Sequence, residues 1–167
     1  KKAEEAEKQS NSDGYDGNHD DSDWVVEAKS IQERLGDASQ LEAIVLRVSL
    51  PDGLAEGGRF SGQNAPYLTA EAMDRIGQNL SRSGHLLTNL PSIDREQCGG
   101  HTPNHRILWG LSSTSRRYAD ATYSERTLTE LIRTDFGLDD GEYVLDLQIA
   151  PFDTDAVPSR PILYPRT

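Results

Sequence analysis

The chain has 167 residues, a formal net charge of −11, 35% hydrophobic residues and a single cysteine. The negative charge argues against nucleic acid or an anionic membrane as a nonspecific partner, because both bind through clustered cations. One cysteine cannot form an intrachain disulfide, which excludes a small scaffold held together by bridges, and no apolar run approaches the ~18 residues that cross a bilayer.

Residues 1–23 are predicted to be a disordered acidic tether. They contain eight acidic and three basic side chains and no aliphatic residue larger than alanine, so they cannot bury enough surface to offset the entropy of ordering. The chain begins Lys1-Lys2, which is compatible with a removed leader, and export or tethering to an envelope is our hypothesis for localisation. Residues 24–150 are predicted to form one α+β domain, and residues 151–167, with four prolines, an extended or irregular C-terminal extension.

The first predicted helix runs from near Trp24 to Gly36. Its apolar residues recur at helical spacing, at Trp24, Ala28, Ile31 and Leu35. This pattern predicts that Trp24 lies in the core, as does Trp109 further along the chain. A strand is predicted next over residues 41–50, because apolar side chains alternate there with polar ones.

The second predicted helix begins after Thr69, which suits the N-cap position. Met73, Ile76 and Leu80 form its buried face, and Ser83-Gly84 is expected to end it. Residues 85–90 then read as a short strand.

Three more elements are predicted in the second half of the chain. Residues 106–112 are apolar enough for a strand, and residues 123–136 are predicted to be a helix because Thr122 and Glu125 have capping-box spacing. The strict alternation over residues 142–150 predicts a strand.

Without the first helix, the predicted order is β-α-β-β-α-β. The simplest closed arrangement for that order is a split β-α-β fold, an antiparallel sheet with both helices on one face, to which the N-terminal helix is added. In this topology the two long loops, residues 51–68 and 91–105, leave the same end of the sheet and form a cleft.

The second loop contains the only cluster of residues suited to metal or thiol chemistry. Cys98, His101 and His105 supply three ligands of the kinds that zinc prefers, and the candidates for a fourth are Asp94, His85 and Asp52. Cys98 is alternatively a nucleophile with His101 or His85 as its base. The plain alternative is a solvated loop in which Cys98 packs as a small hydrophobic residue.

A second candidate site lies just before the last predicted helix. Hydroxyl and guanidinium groups precede a helix N-terminus there, a combination that favours anions; the residues are Ser113, Ser115, Arg116 and Arg117. The alternative is a polar connection at the end of a strand.

These features predict a non-catalytic binding or assembly domain on a flexible linker. Its acidic surface suits a basic protein partner, and no cofactor is expected. The alternative is a metalloprotein or thiol-dependent enzyme that uses Cys98, His101 and His105, with zinc as the cofactor.

Overall fold

The computed structural model describes residues 23–51, 54, 58–115, 117–134 and 137–166. Within these ranges the chain forms three helices, α1 (Ala28–Leu35), α2 (Ala70–Asn79) and α3 (Pro103–Trp109), and a 3₁₀ turn at Tyr118–Asp120. The strands are β1 (Val25–Val26), β2 (Leu41–Leu46), β3 (Tyr67–Leu68), β4 (Leu80–Thr88), β5 (Thr127–Thr129), β6 (Tyr143–Ile149) and β7 (Ser159–Pro165).

The strands form three separate sheets. The largest has the order β2-β4-β5 and is parallel throughout, with Leu86 of β4 opposite Ile44 on one side and Leu128 on the other. Strands β1 and β3 form a short parallel pair, and β6 and β7 form an antiparallel hairpin. The expected mixture of helices and strands is confirmed, but the single antiparallel sheet of a split β-α-β fold is wrong, because β2, β4 and β5 run in the same direction.

The core lies between the helices and the parallel sheet. Helix α2 packs against both α1 and α3, and Ala72, Met73 and Ile76 on its buried face are fully inaccessible. The cluster is completed by side chains from every neighbouring element: Ile31, Ile44, Leu68, Leu80, Leu86, Ile93 and Leu108. Residues 73, 76 and 80 are thus buried as their spacing predicts.

The boundaries of α2 follow from local chemistry. The Thr69 side chain accepts a hydrogen bond from the backbone N–H of Ala72 at 3.2 Å, so the predicted N-cap is confirmed. The helix ends at Asn79, and β4 begins directly at Leu80. The expected end at Ser83-Gly84 is wrong, because those residues belong to β4.

The first helix is shorter than its apolar spacing predicts. Val25 and Val26 pair with Tyr67 and Leu68, since β-branched residues suit an extended strand better than a helix. Trp24 is therefore 39% exposed, and its expected place in the core is wrong. Gly36 does end α1, with φ +56° and its N–H bonded to the carbonyl of Gln32.

Two elements in the second half have the opposite structure to the predicted one. Residues 103–109 form α3 instead of a strand, with Pro103 in the first turn and Gly110 at φ +63° as its C-cap. The region predicted as a helix contains a turn at residues 122–125 and then β5, which pairs with β4 over His85–Leu87. Leu131 has φ +57°, which a right-handed helix cannot contain.

Arg126, which joins that turn to β5, is a buried cation that holds several elements together. It is 4% exposed, and its guanidinium donates to the carbonyls of Gly77, Leu80, Ser81 and Leu108 at 2.9–3.2 Å. The Tyr123 ring lies 3.8 Å from the guanidinium carbon. Burial lowers the pKa of Arg126, against the influence of Tyr123, and the carbonyls at the end of α2 offset the loss of hydration.

The predicted tether lies outside the described residues as far as residue 22, but Asp23 is buried, accepts a hydrogen bond from the Tyr67 hydroxyl and forms an ion pair with Arg95 at 3.0 Å. The strand predicted over residues 142–150 is confirmed as β6. In the described part of the chain, none of the helices has the length and hydropathy needed to cross a bilayer.

Candidate functional site

The carboxyl ends of the parallel strands bring the two long loops together. The N–H of Gly62 donates to the Glu96 carboxylate at 2.9 Å, and the N–H of Leu68 donates to the carbonyl of Ile93 at 3.1 Å. The predicted meeting of these loops is confirmed, but for a different reason: β2 and β4 are parallel neighbours, so the loops that follow them start at the same edge.

A small cavity of about 200 Å³ lies between these loops. Its wall has an apolar part and an acidic part, contributed by Phe60, Ser61, Ala65, Pro66, Pro91, Ser92, Asp94 and Glu96. The cavity is below the usual size of a small-molecule site.

Asp94, His105 and Glu130 form the main titratable cluster at this edge. The imidazole Nδ1 of His105 lies 2.6 Å from a carboxylate oxygen of Asp94, and its Nε2 lies 3.8 Å from Glu130. The residues come from the loop after β4, the first turn of α3 and the end of β5. The chain thus places one imidazole between two carboxylates.

The surroundings change the proton affinity of this cluster. Burial opposes protonation of His105, but the hydrogen bond and charge of Asp94, together with the charge of Glu130, outweigh it and raise the pKa of His105 above 6.5. Burial likewise raises the pKa of Glu130, although the N–H of Ile93 and the charge of His105 act in the opposite direction. His105 and Glu130 therefore each retain a proton to a higher pH than the isolated side chains do.

The same groups also fix the local backbone. Asp94 accepts a hydrogen bond from the N–H of Asn104 at 2.7 Å, and Glu130 accepts one from Ile93 at 2.9 Å. The Asn104 amide donates to the carbonyls of Leu68 and Ile93. This network joins β3, β5 and α3 to the loop after β4, so its role is structural.

The predicted Cys/His residues are distributed differently. His101 is exposed and Cys98 half-buried, and a backbone hydrogen bond of 3.2 Å joins them across a turn, whereas His105 faces Asp94. His85 bonds to Thr127 at 2.7 Å, and Asp52 lies outside the described residues. No group of three or more His, Cys, Asp or Glu side chains in the described ranges is placed to hold a metal ion. Zinc binding and thiol catalysis stay predictions.

The described residues of the predicted anion site, Ser113, Ser115 and Arg117, lie in the segment between α3 and the 3₁₀ turn. The Ser115 hydroxyl donates to the Asp120 carboxylate at 2.9 Å, so a negative charge lies beside the proposed site. Ser113 and Arg117 are exposed, and Arg116 lies outside the described residues. The helix N-terminus that was expected to follow is replaced by a turn, which removes the strongest support for this prediction.

Among the described residues, the buried core cluster contains no residue of the β6–β7 hairpin. Neither strand contains a fully buried residue, although the strands pair over seven positions from Tyr143↔Pro165 to Ile149↔Ser159. Seven large hydrophobic side chains are exposed in the described chain, and four of them belong to this hairpin: Val144, Ile149, Phe152 and Tyr164. A two-stranded hairpin is marginally stable alone, so its apolar residues need further burial.

The two faces of the hairpin differ in chemistry. Side chains alternate between faces along a strand. One face, here called the apolar face, consists of Tyr143, Leu145, Leu147 and Ile149 with Ser159, Pro161, Leu163 and Pro165 opposite them. The other, the mixed face, consists of Val144, Asp146, Gln148, Arg160, Ile162 and Tyr164.

Sequence reasoning missed β7 and the role of Arg126. A signal for β7 was present, because Pro161 and Pro165 are an even number of residues apart and so share one edge, as prolines in an edge strand do. No local signal marks Arg126, since its partners lie 18 to 49 residues away in the sequence.

No protein-family model, curated protein or solved structure matches this chain significantly.

Proposed function

We propose that this chain is a non-catalytic protein-binding domain, and that the β6–β7 hairpin is its contact surface. The observation that carries the proposal is the concentration of exposed apolar side chains on a hairpin without a fully buried residue. Clustered exposed apolar side chains often mark an interaction site.

The charge of the hairpin supports a basic partner. Residues 137–166 contain six acidic side chains and two basic ones. Arg34 pairs with Asp140 at 2.7 Å and Arg166 with Glu142 at 3.2 Å, whereas Asp146, Asp153 and Asp155 form no ion pair with a described residue. A segment that combines basic and apolar side chains would complement this hairpin.

Other occupants fit less well. A second copy of the chain would bring another acidic hairpin against the first, and the N-terminal segment of the same chain is itself acidic. Like charges brought together across an interface oppose association. A basic segment of another protein is therefore the occupant that we propose.

The Asp94–His105–Glu130 cluster supports a binding role more than a catalytic one. Its carboxylates accept hydrogen bonds from the backbone of Asn104 and Ile93, and its imidazole lies between them. These groups stabilise the loops, and a reacting group would have to displace those contacts.

Peptide selection tests the proposal. The full chain is used as bait for a displayed library of random peptides, and the enriched peptides are mapped by amide chemical shifts. We expect enrichment of basic and apolar residues, shifts in β6 and β7, and weaker binding by Asp146→Lys than by the control Asp37→Lys. Shifts confined to residues 91–105, or enrichment without basic residues, would contradict the proposal. Stoichiometric zinc that disappears in Cys98→Ser would favour the metalloprotein instead.

A further inference from the structure

The two edges of the hairpin differ in their free backbone groups. The N–H of Arg166 donates to Glu142, and the N–H of Ala150 donates to Pro158, so these opposed residues are hydrogen-bonded pairs. In an antiparallel ladder, hydrogen-bonded and non-hydrogen-bonded pairs alternate. Even-numbered residues of β6 therefore point their backbone groups at β7, and odd-numbered residues point theirs outward.

The outer edge of β6 is a row of donors and acceptors that have no partners among the described residues. Its four outward N–H groups belong to Tyr143, Leu145, Leu147 and Ile149, each accompanied by an outward carbonyl. β7 is the only strand that pairs with β6 in the described part of the chain. The edge thus has the geometry that accepts another strand.

The outer edge of β7 is blocked. Its outward positions are Ser159, Pro161, Leu163 and Pro165, and the two prolines have no N–H to donate. Proline on an outer strand is a recognised protection against strand pairing. The hairpin is therefore asymmetric, with one edge able to accept a strand and one edge protected.

We propose that the partner binds as an additional β-strand along the outer edge of β6. This inference rests on the proposed function and specifies its geometry. An added strand would hydrogen-bond to the four odd-numbered residues, and its side chains opposite them would extend the apolar face. The intervening side chains would lie beside Val144, Asp146 and Gln148, where a basic residue pairs with Asp146. The predicted ligand is an extended segment of about seven residues that alternates apolar and basic side chains.

A matched pair of proline variants tests the edge. Leu145 and Leu163 are cross-strand partners, share a face and both point their N–H outward, so Leu145→Pro and Leu163→Pro leave the internal ladder intact. The probe is a fluorescent seven-residue peptide that alternates valine and lysine, and the control peptide alternates valine and glutamate. Binding is measured by anisotropy, and circular dichroism checks that both variants are folded.

We expect the valine–lysine peptide to bind the unmodified chain and the control peptide to bind much more weakly. Leu145→Pro should weaken binding by about tenfold or more, since it removes a donor and crowds the edge, whereas Leu163→Pro should change it by less than about threefold. In the unmodified chain, the peptide should slow amide exchange at residues 143, 145, 147 and 149, a result that does not depend on the variants.

The other outcomes overturn the inference in distinguishable ways. Binding that both variants retain, without slowed exchange at the odd-numbered amides, would reject strand addition but leave the hairpin as a contact surface. Equal loss of binding in both variants, without slowed exchange at these amides in the unmodified chain, would also reject strand addition and leave the hairpin as a contact surface. Failure of the unmodified chain to bind this peptide or any library peptide would reject the proposed function as well. A stable dimer in light scattering would identify a second copy as the occupant and reject the basic partner.

Discussion

Arg126 combines a charge, deep burial and four carbonyl partners in one side chain. Methionine has a similar length but no donors, so Arg126→Met would leave the carbonyls of Gly77, Leu80, Ser81 and Leu108 without the hydrogen bonds they now receive. We expect the free energy of unfolding to fall by about 3–5 kcal/mol, because several buried carbonyls would each lose a charged hydrogen-bond donor. Urea unfolding measures this change.

The control for this variant is Arg126→Lys. Lysine keeps the charge but lacks the planar guanidinium, and we expect it to recover part of the loss. A loss below about 1 kcal/mol in Arg126→Met would show that the guanidinium is not needed for the packing of α2 against β4 and α3.

His105 should make stability depend on pH. Because its pKa is raised above 6.5 in the folded state, the resulting stabilisation is complete below pH 6.5 and is lost as pH rises through the raised pKa. The raised pKa of Glu130 acts in the same direction, from its own ordinary value of 4.5 upward. We expect His105→Gln to remove much of the loss above pH 6.5, as measured by urea unfolding at several pH values.

The matched control is His101→Gln, which changes an exposed histidine in the loop just before α3. It should retain the pH dependence of the unmodified chain. Equal pH dependence in both variants would show that another group is responsible.

At the scale of elements, the start of α2 provides a direct test of capping. Thr69→Ala removes the acceptor for the N–H of Ala72, and we expect it to reduce the free energy of unfolding by about 1 kcal/mol. Thr69→Ser keeps the hydroxyl and should stay close to the unmodified chain. Equal stability of the two variants, measured by thermal or urea unfolding, would mean that the cap contributes nothing.

The elements also show which sequence signals are sufficient to predict secondary structure. The alternation in β6 and the cap of α2 are local, and both are found where they are predicted. The three apolar residues Ile107, Leu108 and Trp109 fit a strand or a helix equally well, and Pro103 and Gly110 at the two ends were the better guide. In β5, parallel pairing with β4 prevails over the capping-box spacing of Thr122 and Glu125. Such pairing is not visible in a local pattern.

The candidate site was predictable only in part. The loop after β4 was identified, and Asp94 was named as a possible companion of His105, but as a metal ligand and not as its hydrogen-bond partner. Glu130 was missed because it lies within the helix predicted over residues 123–136, and that prediction does not bring it near His105. Its approach to His105 depends on β5 lying next to β4, which no property of the residue itself indicates.

For the whole molecule, the distribution of burial predicts unequal local stability. Leu86 and Leu87 in β4 are fully inaccessible, whereas the hairpin has no fully buried residue. We expect hydrogen-bonded amides of β6 and β7 to exchange faster than those of β4, because a weakly packed unit opens more often than the core. Hydrogen exchange followed by NMR measures this difference, and equal protection in the two regions would show that the hairpin opens only with the whole fold.

The two prolines of β7 limit what this hairpin can build. A fibre that grows by strand pairing needs two unpaired strand edges on every molecule. Each added molecule then provides an edge for the next one. In this hairpin, a strand added along β6 would leave only the outer edge of β7 for further pairing. The prolines of β7 block that edge, so strand addition at the hairpin would stop after one strand. If the partner binds along β6 as we propose, the hairpin itself would not extend the assembly by a further strand.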